Sequence, residues 1–210
     1  MFTGIVREKG RILELREFEG GVTLRFECPG LWDELERGGS ISVDGICLTV
    51  TGKGGRWVEV DATPETLRRT NLGDKSPGST VNLEPPVKLS DVLGGHLVQG
   101  HVDAAGRIRS IRREGNSWVF RVEAPNEVLR YCVFKGSITL NGISLTVSGL
   151  GEDWFEVTII PHTMAVTNMS ELREGDRVNL EADIISKYVE HHVRLALGAA
   201  GSGREPGRDS

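Results

Sequence analysis

The sequence predicts an all-β protein, barrel or sandwich, built twice in tandem with a single helix appended. Three observations carry this. Asp44-Gly45-Ile46-Cys47-Leu48-Thr49-Val50 returns, slightly altered, as Asn141-Gly142-Ile143-Ser144-Leu145-Thr146-Val147, an offset of 97 (141 minus 44). Near-copies at a fixed offset mark an internal duplication, in which each copy is one structural unit. Short apolar–polar alternations, separated by turn residues at close spacing, run through both copies and indicate many short strands. Ser186 to Leu197 stands outside the repeat and places Tyr188, His192 and Leu195 at helical spacing.

The elements follow in order. Phe2 to Val6 is an apolar run that Gly4 makes close-fitting. Gly10 to Leu15 reads as a strand, Gly20-Gly21 as a hairpin turn, and Val22 to Glu27 as a half-buried strand. Pro29-Gly30 ends it, and Leu31 to Arg37 is expected to form a short helix. Ser40 to Val43 runs into Asp44-Gly45, a strong hairpin signal because both residues tolerate positive φ. A strand over Cys47 to Thr51, a turn over Gly52 to Gly55 and a strand over Trp57 to Val60 come next. Pro64 to Thr70 reads as helical, opened by proline in its first turn. Val81 to Glu84 is the last strand. Pro85-Pro86 stiffens the connection, and Gly94-Gly95 marks a linker.

From about Leu97 the first half replays. Val98-Gln99-Gly100-His101-Val102 answers Phe2-Thr3-Gly4-Ile5-Val6, Trp154 answers Trp57, and Val178-Asn179-Leu180-Glu181 answers Val81-Asn82-Leu83-Glu84. The offset is 96 at first and 97 later, so one residue is inserted near the short helix. The expected boundaries are 1–96 for the first unit with its linker, 97–185 for the second, 186–198 for the helix and 199–210 for a disordered tail rich in Gly, Arg, Pro and Ser.

Bulk properties narrow the function. With 210 residues, 38% hydrophobic and 26% charged, the chain has the make-up of a soluble globular protein with two modest cores. A net charge of -5 without a basic, aromatic-rich patch argues against a nucleic-acid binder. No apolar stretch is long enough to span a membrane, and Met1 to Glu8 lacks a signal-peptide core. Cys28, Cys47 and Cys132 form neither a disulfide framework nor a zinc motif, so a reducing, cytoplasmic setting is expected.

In a duplicated chain, positions that differ between copies point to a division of labour. Cys47 stands opposite Ser144, Ile5 opposite His101, Gly38 opposite Lys135, Glu65 opposite His162 and Pro86 opposite Asp183. Singly, each has a plain explanation as packing or solvated surface. As a set they describe two similar pockets tuned differently, as suits an enzyme that makes two molecules of one compound react unequally.

Met1 to Val6, the paired Gly-Ile-Cys-Leu-Thr-Val and Gly-Ile-Ser-Leu-Thr-Val, Glu65-Thr66-Leu67 with Thr70-Asn71-Leu72-Gly73, and Gly94-Gly95-His96-Leu97-Val98-Gln99-Gly100-His101-Val102 together resemble the alpha-chain riboflavin synthases, over residues 1 to about 197. The resemblance implies two tandem six-stranded antiparallel Greek-key barrels and a C-terminal helix that joins three chains into a trimer. It implies dismutation of two 6,7-dimethyl-8-ribityllumazine molecules, without metal or cofactor, at sites between barrels of different subunits. Association with lumazine synthase is a further possible partnership. The rival reading is a non-catalytic lumazine- or flavin-binding protein of the same fold, in which the paired motif degrades; here both copies are intact.

Carried over by position, the resemblance gives the N-barrel pocket Gly4, Ile5 and Val6, then Cys47, Leu48 and Thr49, then Asp61, Ala62, Thr63, Pro64, Glu65 and Thr66. It gives the C-barrel pocket Gly100, His101 and Val102, Lys135, Ser144, Leu145 and Thr146, then Ile159, Ile160, Pro161, His162, Thr163 and Met164. His162 stands where some relatives carry Glu, which leaves its backbone as the expected contact. The catalytic candidates are Cys47, His101, Ser144 and Asp183. His101 is expected to shuttle protons, since imidazole changes charge near neutrality. Cys47 could donate, accept or add to the ring. Ser144 and Thr146 would bond ring edges, Lys135 would balance ring charge, and Asp183 would orient the ribityl chain or activate a nucleophile.

Overall fold

The computed structural model describes residues 1–201, and within them twelve strands close into two barrels. The first contains β1 (Glu8–Phe18), β2 (Gly21–Glu27), β3 (Ser40–Val43), β4 (Ile46–Gly54), β5 (Trp57–Ala62) and β6 (Thr80–Glu84). The second contains β7 (Ala104–Glu114), β8 (Ser117–Glu123), β9 (Ser137–Leu140), β10 (Ile143–Leu150), β11 (Trp154–Ile159) and β12 (Arg177–Ala182). Strand neighbours run β1-β2-β5-β4-β3-β6 and back to β1, and the second barrel follows the same cycle. Every pairing is antiparallel. The step from β2 to β5, with β3 and β4 folded back beyond it, makes each barrel a Greek key. Closure leaves no open sheet edge, so barrel rather than sandwich is the outcome.

The alternation seen in sequence sets the inward faces. Ile12, Leu24, Phe26, Val58 and Val60 fill the first barrel, and Ile108, Phe120, Val122, Phe155 and Val157 fill the second. Burying each such side chain contributes about 1.5–3 kcal/mol. Register shifts recur at matching places, between Ile12 and Glu14 in β1 and between Ile108 and Ser110 in β7. These bulges bend the long strands around the barrel. The Asp44-Gly45 turn has φ of 47° and 80°, and Asn141-Gly142 has 47° and 76°, as a two-residue hairpin turn requires.

Three expectations need correction. Leu31 to Arg37 forms irregular turns rather than a helix, with both Leu31 and Trp32 donating to the Cys28 carbonyl. The segment is short and must bury both Leu31 and Leu35, which leaves no run of regular turns to nucleate. Its counterpart in the second half is a single turn, α2 (Asn126–Leu129). The expected turn over Gly52 to Gly55 is mostly strand: past a bulge between Val50 and Gly52, β4 stays paired to Gly54, and Gly55 and Arg56 turn the chain at φ 52° and 71°. The C-terminal helix begins and ends outside its expected span. Helices α1 (Pro64–Arg69) and α3 (Pro161–Val166) follow β5 and β11, and α4 spans Ile184–Gly201. Asp183 starts α4 by accepting from the Ile185 N–H at 2.9 Å, an N-cap bond. Residues 202–210 of the expected tail lie outside the described residues.

The barrels meet hairpin to hairpin. A Cβ on Gly45 would lie 2.7 Å from the Gly142 nitrogen, and one on Gly142 would lie 2.6 Å from the Gly45 nitrogen. Around this contact runs a buried polar network with approximate two-fold symmetry. The Asn71 N–H donates to Asn179 Oδ1 at 2.7 Å and the Asn168 N–H to Asn82 Oδ1 at 2.8 Å. Asn82 Nδ2 donates to the Asn141 carbonyl at 3.0 Å and Asn179 Nδ2 to that of Asp44 at 2.9 Å. The symmetry fails at one place. Asp44 is fully buried and paired with Lys75 Nζ at 3.0 Å, whereas the second half has Asn141, with Leu172 at the position answering Lys75.

Candidate active site

The site begins at the two matching segments that precede each barrel. Phe2 and Val98 pair with each other, N–H to carbonyl, at 2.7 and 3.1 Å. Beyond this bridge each segment crosses to the opposite barrel. The Ser144 N–H donates to the Gly4 carbonyl at 2.7 Å, and the Cys47 N–H donates to the Gly100 carbonyl at 2.8 Å. Gly4 and Gly100 have φ of 75° and 78°, and a Cβ on either would come within 2.6 or 2.7 Å of the Ser144 or Cys47 Cβ. Glycine is required at both by backbone angle and by contact. Val6 then packs on the second core and Val102 on the first.

This crossing corrects the expected grouping. Gly4, Ile5 and Val6 lie with the second barrel, and Gly100, His101 and Val102 with the first. The sequence offset pairs these segments correctly but does not say which barrel each enters. The first barrel then offers Cys47, Leu48 and Thr49 on β4, Asp61 and Ala62 at the end of β5, and Thr63 to Thr66 into α1. The second offers Ser144, Leu145 and Thr146 on β10, Ile159 at the end of β11, and Ile160 to Met164 into α3.

Thr49, Thr146 and His101 are exposed, and Cys47 and Ser144 are half-buried, so polar groups reach the surface from a packed base. Thr63 caps α1 by accepting from the Thr66 N–H at 3.3 Å; Ile160 at the matching position makes no such bond. Asp61 accepts from the Thr23 hydroxyl at 2.7 Å, and Glu65 is tied to Arg68 and Arg69 across the exposed face of α1. Lys135 stands apart, exposed in the turn before β9 with its ammonium 5.0 Å over the Phe134 ring. Burial pushes the Cys28 and Cys132 thiols up to about 12 and about 11, holding both as neutral, poorly nucleophilic groups.

The structure adds His96, which lies outside the expected site residues. Its Nδ1 lies 2.7 Å from Ser144 Oγ. Burial pushes the imidazole below its ordinary pKa, and the Asp183 carboxylate pulls the other way. A mostly buried, neutral imidazole bonded to a hydroxyl is placed to take or return that proton. Among the described residues no histidine is hydrogen-bonded to Cys47 in the same way. The repeat aligns His96 with no residue of the first half, so comparing the halves carries no signal for it. The approach is tight: a Cβ on Gly95 would lie 2.1 Å from the Thr3 carbonyl oxygen and 2.8 Å from the Ser144 Cβ.

Two barrels, each completed by a segment of the other and each with its own set of polar groups, define a duplicated protein with two matching candidate sites. The lumazine binding domain model matches residues 3–85 and again residues 99–183. Riboflavin synthase of Mycobacterium tuberculosis (strain ATCC 25618 / H37Rv) is 48% identical over 202 residues, covering 93% of this chain and 100% of that protein. Riboflavin synthase of Bacillus subtilis (strain 168) is 40% identical over 196 residues, covering 93% and 91%. The chain belongs to the riboflavin synthase family of transferases. Its fold is also that of LumP complexed with riboflavin, with a TM-score of 0.81 at 23% identity over 87% of this chain and 99% of LumP. No helix among the described residues is long and apolar enough to cross a membrane.

Proposed function

We propose that the chain makes riboflavin by dismutation of 6,7-dimethyl-8-ribityllumazine. One lumazine gives up a four-carbon unit to the other. Riboflavin leaves as one product and 5-amino-6-ribitylamino-2,4(1H,3H)-pyrimidinedione as the other. What supports this reading is that the lumazine binding domain is matched twice and that the two halves carry unlike groups at matching positions, Cys47 in one and Ser144, bonded to His96, in the other. A simple carrier has no need of two unlike sets of groups.

The lumazine ring is electron-poor, so its C7 methyl is acidic for a C–H bond and the carbanion spreads over the ring. Catalysis therefore needs two rings held together and a few placed proton donors and acceptors. Positioning can remove about 7–11 kcal/mol of barrier, and a placed acid or base adds about 10²–10⁴-fold. In this reading Ser144, bonded to His96, moves protons at the second pocket while Cys47 and His101 serve the first. Thr146 bonds a ring edge and Lys135 offsets ring charge. Asp183 acts through its charge on His96 as well as by capping α4.

Assembly follows the same reading. Helix α4 leaves Ile185, Tyr188, Val189, Val193, Leu195 and Leu197 exposed, an apolar face its own barrel does not cover. Three copies joined by that face would bring unlike pockets of different subunits together. The decisive experiment incubates the purified chain with 6,7-dimethyl-8-ribityllumazine and measures both products. One riboflavin per two lumazines consumed is expected. Tight binding without turnover would instead make the chain a lumazine carrier.

A further inference from the structure

Two buried carboxylates at the ends of β6 and β12 have no part in the mechanism above. Glu84 is 5% exposed and Glu181 2%. Glu84 Oε1 accepts from the Thr3 N–H at 2.7 Å and the Thr3 hydroxyl at 2.8 Å, and its Oε2 accepts from the Gly4 N–H at 3.0 Å. Glu181 Oε1 accepts from the Gln99 N–H at 2.7 Å, and its Oε2 accepts from the Gly100 and His101 N–H groups at 2.9 and 3.1 Å. These are the crossing segments. Both carboxylates belong to the barrel that the segment leaves, not the barrel it enters.

We propose that Glu84 and Glu181 are positioning residues, each holding from one barrel the backbone segment that completes the pocket of the other. The assignment rests on the lumazine reading above for its ligand. The chain of contacts is continuous. Glu181 fixes Gly100 and His101, and the Gly100 carbonyl takes the Cys47 N–H. Glu84 fixes Thr3 and Gly4, and the Gly4 carbonyl takes the Ser144 N–H. In its ionised form, reached above about pH 7 for Glu181, the side chain suits the task because it only accepts, and two or three converging N–H donors make charge-assisted bonds that fix a peptide's orientation. An amide in its place would turn an NH₂ toward one of those donors.

The consequence is reciprocal. Loss of Glu181 loosens the pocket around Cys47 in the first barrel, and loss of Glu84 loosens the pocket around Ser144 in the second. General destabilisation has no reason to sort that way. The test compares full-length Glu84→Gln and Glu181→Gln with wild type in two arms. In the first, equilibrium binding of 6,7-dimethyl-8-ribityllumazine is expected to weaken about tenfold at one of two sites in each variant, the scale of a lost hydrogen bond to a charged group, and at a different site in each. In the second, alkylation of Cys47 by iodoacetamide in the ligand-free chain, read by peptide mass mapping, is expected to speed about tenfold in Glu181→Gln on the same scale and to stay at the wild-type rate in Glu84→Gln.

Equal weakening of both sites in both variants, or equal alkylation rates in both, overturns the proposal. The alkylation arm needs no ligand. It therefore decides the matter even where the wild-type chain takes up no lumazine, the result that would defeat the functional reading instead. Should Glu181→Gln fail to accumulate folded, Glu181→Asp keeps the charge but withdraws it by one methylene. It is expected to speed Cys47 alkylation by a smaller factor, and an unchanged rate counts against the proposal.

Discussion

Lys135 occupies left-handed backbone, φ 67°, at the position where the first barrel has Gly38 at φ 85°. A side chain there costs about 1–2 kcal/mol relative to glycine. Strain of this kind clusters at functional sites, which makes the Lys135 charge worth testing. Lys135→Gly should therefore raise stability by about 1 kcal/mol in urea unfolding, while turnover falls at least about tenfold for loss of a placed charge. A variant both more stable and fully active would leave Lys135 outside the mechanism. Sequence comparison of the halves made this residue legible, as it did Cys47 and Ser144, because the duplication supplies an internal reference. Asp183 was legible as an unlike position but not as the cap of α4, since capping depends on where the helix starts. His96 was hidden because the comparison had no partner for it.

Strands were the legible elements, and their destinations were not. Alternation and turn residues located β3, β6 and the Asp44-Gly45 hairpin, but nothing local tells Phe2 to Val6 that it must cross to the other barrel. Strand β12 illustrates how a buried group makes an element pH-sensitive. Burial pushes Glu181 up to about 7, opposed by the Gln99 and Gly100 N–H groups and the Lys187 ammonium, with the Asp103 carboxylate adding to the rise. In the unfolded chain a glutamate titrates at about 4.3. Between those values the folded state holds a proton the unfolded state has released. The stabilisation is full at low pH and is lost as pH rises toward about 7. Urea midpoints should thus fall from about pH 5 to about pH 7, and Glu181→Gln should flatten that slope. A smaller slope of the same sign should remain, because burial also raises Glu84. An unchanged slope in the variant would assign the pH dependence elsewhere.

At the scale of the whole molecule, the two barrels are joined by buried polar contacts as well as by the exchanged Val6 and Val102. Asp44 with Lys75 in one half replaces Asn141 with Leu172 in the other. Removing Lys75 alone, as Lys75→Leu, would strand a buried carboxylate at a cost of about 3–5 kcal/mol. The double variant Asp44→Asn with Lys75→Leu copies the second half and should recover most of that loss, a coupling of about 2 kcal/mol or more in a double-mutant cycle. Additive losses would mean that Lys75 does not neutralise Asp44. The Asn141 Nδ2 group, buried without a hydrogen-bond partner, shows that even the uncharged version is imperfectly satisfied.

That broken symmetry has a consequence for how such a molecule can change. In a dimer of identical subunits, one codon writes both sides of the two-fold axis, so every substitution arrives twice and faces its own copy. Here the two sides are written separately. A charge can be introduced on one side with its counter-ion, and a thiol can be traded for a hydroxyl on one side alone. The chain is in effect a heterodimer carried in a single reading frame, free to specialise its halves while keeping them at equal concentration.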